Sequence, residues 1–303
     1  MKNIKIHLIL ILSLFSCDYF ILEADLPNDE SKLVINSFFH PDSTVEVYIY
    51  EGLSVLDTRD GISPNNVDLK LFNEQGNQVA IFIKSDTDTN TVYSPYKSNY
   101  YPLAGEKYSI EAELEGFPKA FSEEIIPTDS AIVTNTVLKR LDLVPDSIKN
   151  STRYSLLLLL DDPSGNDFYE IIVQERFRSL NGPAYGNLEI SSKDPVFNLF
   201  PTGFSLIMDD KLFNGQPRTI NLEFESFKYG CIEGEPCYDD DIRLIVRKTS
   251  ESYFKYNSTY DLYVSLNENP LAEPVHVYSN ITNGFGIFAG YQSSIFPLEV
   301  PKD

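Results

Sequence analysis

The sequence predicts a mainly β protein in two parts: an immunoglobulin-like β-sandwich over residues 33–127, then a second β-rich domain over 128–303 with one helix in the C-terminal half. Three observations predict it. Short alternating or β-branched runs recur from Leu33 to Lys248, clusters of Gly, Pro, Asn and Asp punctuate them, and only the stretch after Ser250 spaces its aromatic residues as a helix does. With 42% hydrophobic and 13% aromatic residues the chain can bury a sizeable core, which excludes general disorder. A length of 303 residues favours two domains over one.

The elements follow in order. Residues 1–16 read as a signal peptide, because Lys2 and Lys5 supply a positive start and Ile6 to Phe15 an apolar stretch too short to span a hydrocarbon core of about 30 Å. Its end, Leu14-Phe15-Ser16-Cys17, resembles the lipobox of bacterial lipoproteins. Cys17 is the expected lipidation site and first mature residue. Each buried methylene contributes about 0.8 kcal/mol of membrane affinity, so two or three acyl chains hold such a protein firmly on a bilayer. Residues 17–32 form an acidic tether carrying Pro27-Asn28-Asp29-Glu30, and everything after Cys17 is expected to be extracytoplasmic.

In the first domain, strands are expected at Leu33 to Phe39, Thr44 to Glu51, Val67 to Phe72, Gln78 to Ile83, Thr91 to Tyr93 and Tyr108 to Leu114. Pro41-Asp42, Asn73-Glu74-Gln75-Gly76, Ala104-Gly105-Glu106 and Gly116-Phe117-Pro118 supply the turn chemistry between them. Asp86, Asp88 and Asn90 have the spacing of calcium-loop ligands. Thr91 stands where that loop requires glycine, and Lys97 where it requires glutamate, so a polar hairpin tip is the better reading. Pro127-Thr128-Asp129 marks the boundary.

The second domain is expected to use strands at Arg153 to Asp161, Phe168 to Phe177, Ser205 to Met208, Thr219 to Phe224 and Ile242 to Lys248, with a long polar connection from Ser179 to Pro201. Ser250 is a suitable N-cap with Glu251 in the first turn. Tyr253, Tyr256, Tyr260 and Tyr263 then fall at i, i+3, i+7 and i+10, on one helix face. Core packing is the expected role of that stripe, over ligand stacking.

A net charge of −21 argues against nucleic acid as a partner, since a polyanion would be repelled and no basic stripe is present. Asp209-Asp210 and Asp239-Asp240-Asp241 read as solvated acidic surface, with divalent-cation binding the sharper alternative; no metal is assigned. Cys231 and Cys237 bracket a turn containing Gly234 and Pro236, and in an oxidising compartment they are expected to pair, contributing about 2 kcal/mol. His40 and His276 lie far from them in sequence, which disfavours zinc. No HExxH, GxSxG, SxxK or phosphate-loop pattern occurs, so no enzyme, catalytic residue or cofactor is predicted. Asp42-Ser43-Thr44, Asp129-Ser130-Ala131 and Asp146-Ser147-Ile148 resemble the O-glycosylation acceptor of the Bacteroidota, making Ser43, Ser130 and Ser147 candidate sites.

The stretch Asn269 to Tyr291, with Gly284, Gly286 and Gly290 interleaved among Phe285, Ile287, Phe288 and Tyr291, predicts a strand or bulge where backbones approach closely. It also resembles a signature of uncharacterised Bacteroidota lipoproteins, a family known as a domain of unknown function. Leu33 to Phe39, Asp161 to Val173 and Met208 to Gly215 extend the likeness over nearly all of the mature chain. The resemblance implies an outer-membrane lipoprotein, often encoded beside a TonB-dependent receptor, and it supplies no catalytic residues. The expected function is therefore a non-enzymatic, lipid-anchored protein on the periplasmic or cell-surface face of the outer membrane, an accessory or substrate-binding partner of a TonB-dependent nutrient receptor. The alternative is a surface adhesin or glycan-binding module acting without a transporter.

Overall fold

The computed structural model describes residues 31–52, 63–85, 94–145, 150–179, 182–197, 202–228, 241–266, 269 and 272–301. Over these residues the chain is mainly β, with several sheets and a single α-helix in the C-terminal half. The first part contains β1 (Leu33–Phe39), β2 (Glu46–Glu51), β3 (Asp68–Asn73), β4 (Gln78–Ala80), β5 (Phe82–Lys84), β6 (Tyr96–Ser98), β7 (Lys107–Glu113) and β8 (Ala120–Ile125). Next come β9 (Ile132–Pro145), β10 (Asn150–Asp161), β11 (Phe168–Ser179), β12 (Gly182–Asn187), β13 (Ile190–Ser191), β14 (Thr202–Gly203), β15 (Leu206–Asp209) and β16 (Arg218–Lys228). The chain closes with β17 (Ile242–Thr249), helix α1 (Glu251–Leu266) and β18 (Gly284–Pro297). No helix among the described residues is long and apolar enough to cross a membrane.

A nine-stranded sheet runs β12-β11-β17-β18-β1-β2-β6-β5, with β15 also paired to β11. A four-stranded sheet, β4-β3-β7-β8, and a five-stranded sheet, β14-β13-β16-β10-β9, complete the structure. One hydrophobic cluster joins Leu33, Ile35, Ile49 and Phe288 of the large sheet to Leu71, Tyr108 and Ile110 of the four-stranded sheet. A second cluster joins Tyr169, Ile171 and Leu244 of the large sheet to Leu156, Leu158 and Leu222 of the five-stranded sheet. Both cores therefore rest on one continuous sheet, and residues 31–303 form one compact unit.

Burial patterns explain the strands. In β1 the side chains of Leu33, Ile35, Ser37 and Phe39 are buried while their neighbours are not, the period-two signature of one covered face. In contrast, Tyr169 to Val173 of β11 and Ile287 to Tyr291 of β18 are buried without interruption. Here both faces are covered: Phe288 enters the first core, whereas Ile287, Ala289 and Tyr291 pack beneath α1 with Tyr253.

Three expectations about elements need correction. The run Gln78 to Ile83 is split at the exposed Ile81, because β4 pairs with β3 in one sheet and β5 with β6 in the other. A single pattern of alternation cannot reveal that the chain changes sheets. The connection from Ser179 to Pro201 contains β12, β13 and a 3-10 turn at Pro195–Phe197, which its polar composition concealed. The expected set also lacks β6, β8, β9 and β14; β9 lies at a sheet edge, and Ile132, Val137 and Leu141 face outward along it. The expected strand at Thr91 to Tyr93 lies outside the described residues.

Candidate functional site

A cleft of about 470 Å³ opens where residues 124–129 face residues 163–168 and 248–251. Its walls include Glu124, Asp129, Asn166, Asp167, Lys248 and Glu251, so acids outnumber the one lysine. Ser250 fixes the start of α1 at this cleft: its amide donates to the Gly290 carbonyl (3.0 Å), and its hydroxyl accepts from the Tyr253 amide (3.3 Å). The N-cap read from sequence is thus the observed one.

Burial pushes the Glu124 carboxyl above the ordinary glutamate range, and the charge of Glu251 acts in the same sense. Between the ordinary and raised pKa the folded chain holds a proton that the unfolded chain has released, so this group's contribution to stability declines as pH rises through that window. Glu124→Gln is expected to melt above the wild type at pH 7 and to lose the advantage at pH 4. Thermal melts at the two pH values check this, and a variant less stable at pH 7 would refute it.

Behind the cleft wall lies a tighter acidic cluster. One carboxylate oxygen from each of Asp162, Asp167 and Asp210 falls within 4.8 Å of the others. Asp162 is 4% exposed and Asp210 only 2%. Asp162 follows β10 and is held at both oxygens: Oδ1 accepts from the Tyr169 hydroxyl (2.6 Å) and Oδ2 from the Gly215 amide (2.8 Å). Burial first, and the Asp162 carboxylate second, keep the Tyr169 hydroxyl protonated far above its ordinary pKa, so it remains a donor. Asp167 pairs with Lys248 at 2.9 Å, whereas Asp210 Oδ2 is buried with no hydrogen-bond partner among the described residues. The loops bearing these acids also meet directly, through the Asp210 amide on the Asp167 carbonyl (3.1 Å) and the Gly165 amide on Asn214 Oδ1 (3.2 Å).

A second polar network lies under α1. Glu170 and Arg247 face each other across β11 and β17, and Arg247 Nη1 donates to Glu170 Oε2 at 2.7 Å. The Tyr253 hydroxyl donates to the same oxygen at 2.7 Å, while the Arg247 guanidinium lies over the Tyr291 ring at 4.6 Å. These contacts seat the first turn of the helix on the sheet. Tyr253 is 5% exposed, but Tyr260 and Tyr263 are 46% and 41% exposed. The stripe is core at its N-terminal end and surface at the other.

The glycine-rich C-terminal segment occupies the centre of the large sheet. Strand β18 runs parallel to β1, with Gly284 opposite Leu33 and Gly286 opposite Ile35. Asn280 behaves as a one-residue extra strand, donating to the Phe288 carbonyl (2.7 Å) and accepting from the Phe288 amide (3.0 Å). Asn283 takes a left-handed backbone (φ 58°) to turn the chain into β18. A model of a family described as a domain of unknown function, DUF4249, matches residues 21–295. The chain belongs to the DUF4249 family. The match takes in β1, the acidic cluster, helix α1 and nearly all of β18. No curated protein matches the chain.

In this DUF4249 chain the sequence-predicted sites are scattered. Ser130 is exposed in the connection between β8 and β9, as an acceptor of modification would be. Ser43 is half-buried, its hydroxyl 3.0 Å from His40 Nε2. Cys17, Cys231, Cys237, Ser147, Asp86, Asp88, Asn90, Asp239 and Asp240 lie outside the described residues. Asp241 pairs with Arg176 at 3.2 Å and accepts from the Tyr185 hydroxyl at 3.0 Å. The reading of Asp209-Asp210 as solvated surface holds for Asp209 alone, which bonds Lys211 at the surface, while Asp210 turns inward. Their neighbours Asp162 and Asp167 stand more than forty residues away in sequence, which is why spacing gave no sign of the cluster.

Proposed function

We propose that this DUF4249 protein is a non-enzymatic lipoprotein of the outer membrane that acts as an accessory or substrate-binding partner of a TonB-dependent nutrient receptor. The observation that carries the anchoring is the leader ending in Leu14-Phe15-Ser16-Cys17, a short basic-apolar segment followed at once by cysteine. Lipid on Cys17 and the tether of residues 17–32 leave the β-rich body free to meet a membrane partner. The resemblance of the C-terminal segment to lipoproteins encoded beside TonB-dependent receptors supports the choice of partner. The acid-lined cleft between residues 124–129 and 163–168 offers the contact surface, suited to a polar or cationic group. The disulfide between Cys231 and Cys237 belongs to the same reading, since it requires an oxidising compartment.

The test is recovery of the tagged full chain from its native outer membrane in mild detergent, with Cys17→Ala as control, read by mass spectrometry. Stoichiometric recovery of a TonB-dependent receptor, lost with Cys17→Ala, is expected. Recovery of the lipoprotein alone would overturn a stable complex and favour a glycan-binding module, for which the exposed Tyr260 and Tyr263 offer stacking faces.

A further inference from the structure

We infer that the carboxylates of Asp162, Asp167 and Asp210 hold a Ca²⁺ ion, which ties the loop before β11 to the loop after β15. Four observations carry the inference. The first is the placement of three hard oxygen ligands, all within 4.8 Å of one another. Oxygens that share one Ca²⁺ at 2.3–2.6 Å lie at most about 5.2 Å apart, so all three can reach a single ion. Ca²⁺ is the better match because it accepts irregular all-oxygen cages, whereas Mg²⁺ demands near-ideal octahedral geometry and gives up its waters reluctantly.

The second is Asp210 itself, 98% shielded from solvent yet leaving Oδ2 without a hydrogen-bond partner among the described residues. A buried carboxylate oxygen with nothing to accept from carries a large desolvation cost, and a cation removes it. Charge is the third. Lys248 on Asp167 offsets one of the three carboxylates, so the cluster keeps two negative charges for a divalent ion.

The fourth is the support around the ligands. Tyr169 and the Gly215 amide each bond one oxygen of Asp162, fixing the carboxylate's orientation while leaving lone pairs available. Gly215 has φ +70°, a left-handed conformation that favours glycine, and it is this turn that aims the amide at Asp162. Backbone contacts between Asp210 and Asp167 hold the two loops in register around the site.

The test uses the purified full chain, freed of metal by chelation and then titrated separately with CaCl₂, MgCl₂ and TbCl₃. The sequence contains no tryptophan, so terbium emission excited at tyrosine wavelengths reports ions near tyrosine, and Tyr169 touches Asp162. A saturable rise of several degrees in melting temperature with millimolar Ca²⁺ is expected, with a smaller one for Mg²⁺. Terbium emission displaced by Ca²⁺ is expected alongside it. Asp167→Asn, at the cleft side of the cluster, should fold by circular dichroism and lose both responses; Asp210→Asn should do the same. No Ca²⁺ response in the wild type would overturn the site. So would an equal response in wild type and both variants, which would mean diffuse binding to the 45 acidic residues of the chain. Greater stability of Asp210→Asn than of the Ca²⁺-saturated wild type would place a proton, not a metal, on Asp210.

Discussion

Gly286→Ala is expected to be among the most destabilising single substitutions in the chain, at about 4 kcal/mol or more. Gly286 has φ +99°, outside the range that L side chains adopt readily, and it stands opposite Ile35 of β1. A Cβ built there falls 2.2 Å from the Ile35 carbonyl oxygen and 2.7 Å from Asn36 Oδ1. The closer of these atoms is backbone in the adjacent strand, so rotating a side chain cannot relieve the overlap. Strand β18 must separate from β1, and that pairing joins the two halves of the nine-stranded sheet. The backbone conformation alone costs about 1–2 kcal/mol, and disrupting the central pairing brings the loss to at least about 4 kcal/mol. That is a large part of the 5–15 kcal/mol by which domains are ordinarily stable. Gly76→Ala is the control: φ is +77°, but nothing lies within 4 Å, so it should cost only about 1 kcal/mol. Urea denaturation compares the two, and equal losses would contradict the parallel register of β1 and β18.

Glu170→Ala is expected to cost about 3 kcal/mol, the low end for a buried pair, because it strands a partly buried cation, Arg247, instead of merely deleting a contact. Glu170 is 6% exposed and accepts from both Arg247 and Tyr253. Without it, the guanidinium keeps only neutral partners, the Tyr253 hydroxyl (3.1 Å) and the Tyr291 ring, and the Tyr253 hydroxyl loses its acceptor at the first turn of α1. Replacing both members of the pair, Glu170→Met with Arg247→Met, removes the uncompensated charge and should recover most of the loss. The double-mutant cycle by urea denaturation therefore has a defined sign: the pair of substitutions must be milder than the sum of the single ones. Additive losses would show that Glu170 and Arg247 act independently.

These two sites differ in how far they could be read from the sequence. Glycines among aromatic residues at Gly284, Gly286 and Gly290 already signalled close backbone approach, because glycine has no Cβ and marks the positions where one would not fit. What they approach was not legible, since a parallel partner 251 residues away, Leu33 opposite Gly284, leaves no local trace. Glu170 stands in the sequence as one polar residue between Tyr169 and Ile171-Ile172-Val173, with nothing local to mark it. Its role follows from cross-strand register with Arg247 and from the helix that closes over both.

The same division holds for the whole chain. Local physics set the mainly β character, most strand positions, the N-cap at Ser250 and the turn glycines, because period-two burial, hydrogen-bonding caps and left-handed backbone leave marks within a few residues. Family membership was legible too, in the segment from Asn269 to Tyr291. Tertiary structure alone decided that Gln78 to Ile83 changes sheets at Ile81, that β18 inserts between β17 and β1, and that half of the tyrosine stripe is surface. It also decided which acids lie inside. Asp209 and Asp210 are adjacent in sequence and identical in chemistry, yet one meets solvent and Lys211 while the other joins Asp162 and Asp167. Burial of a carboxylate is set by what the rest of the chain packs over it, and that is a property of contacts distant in sequence.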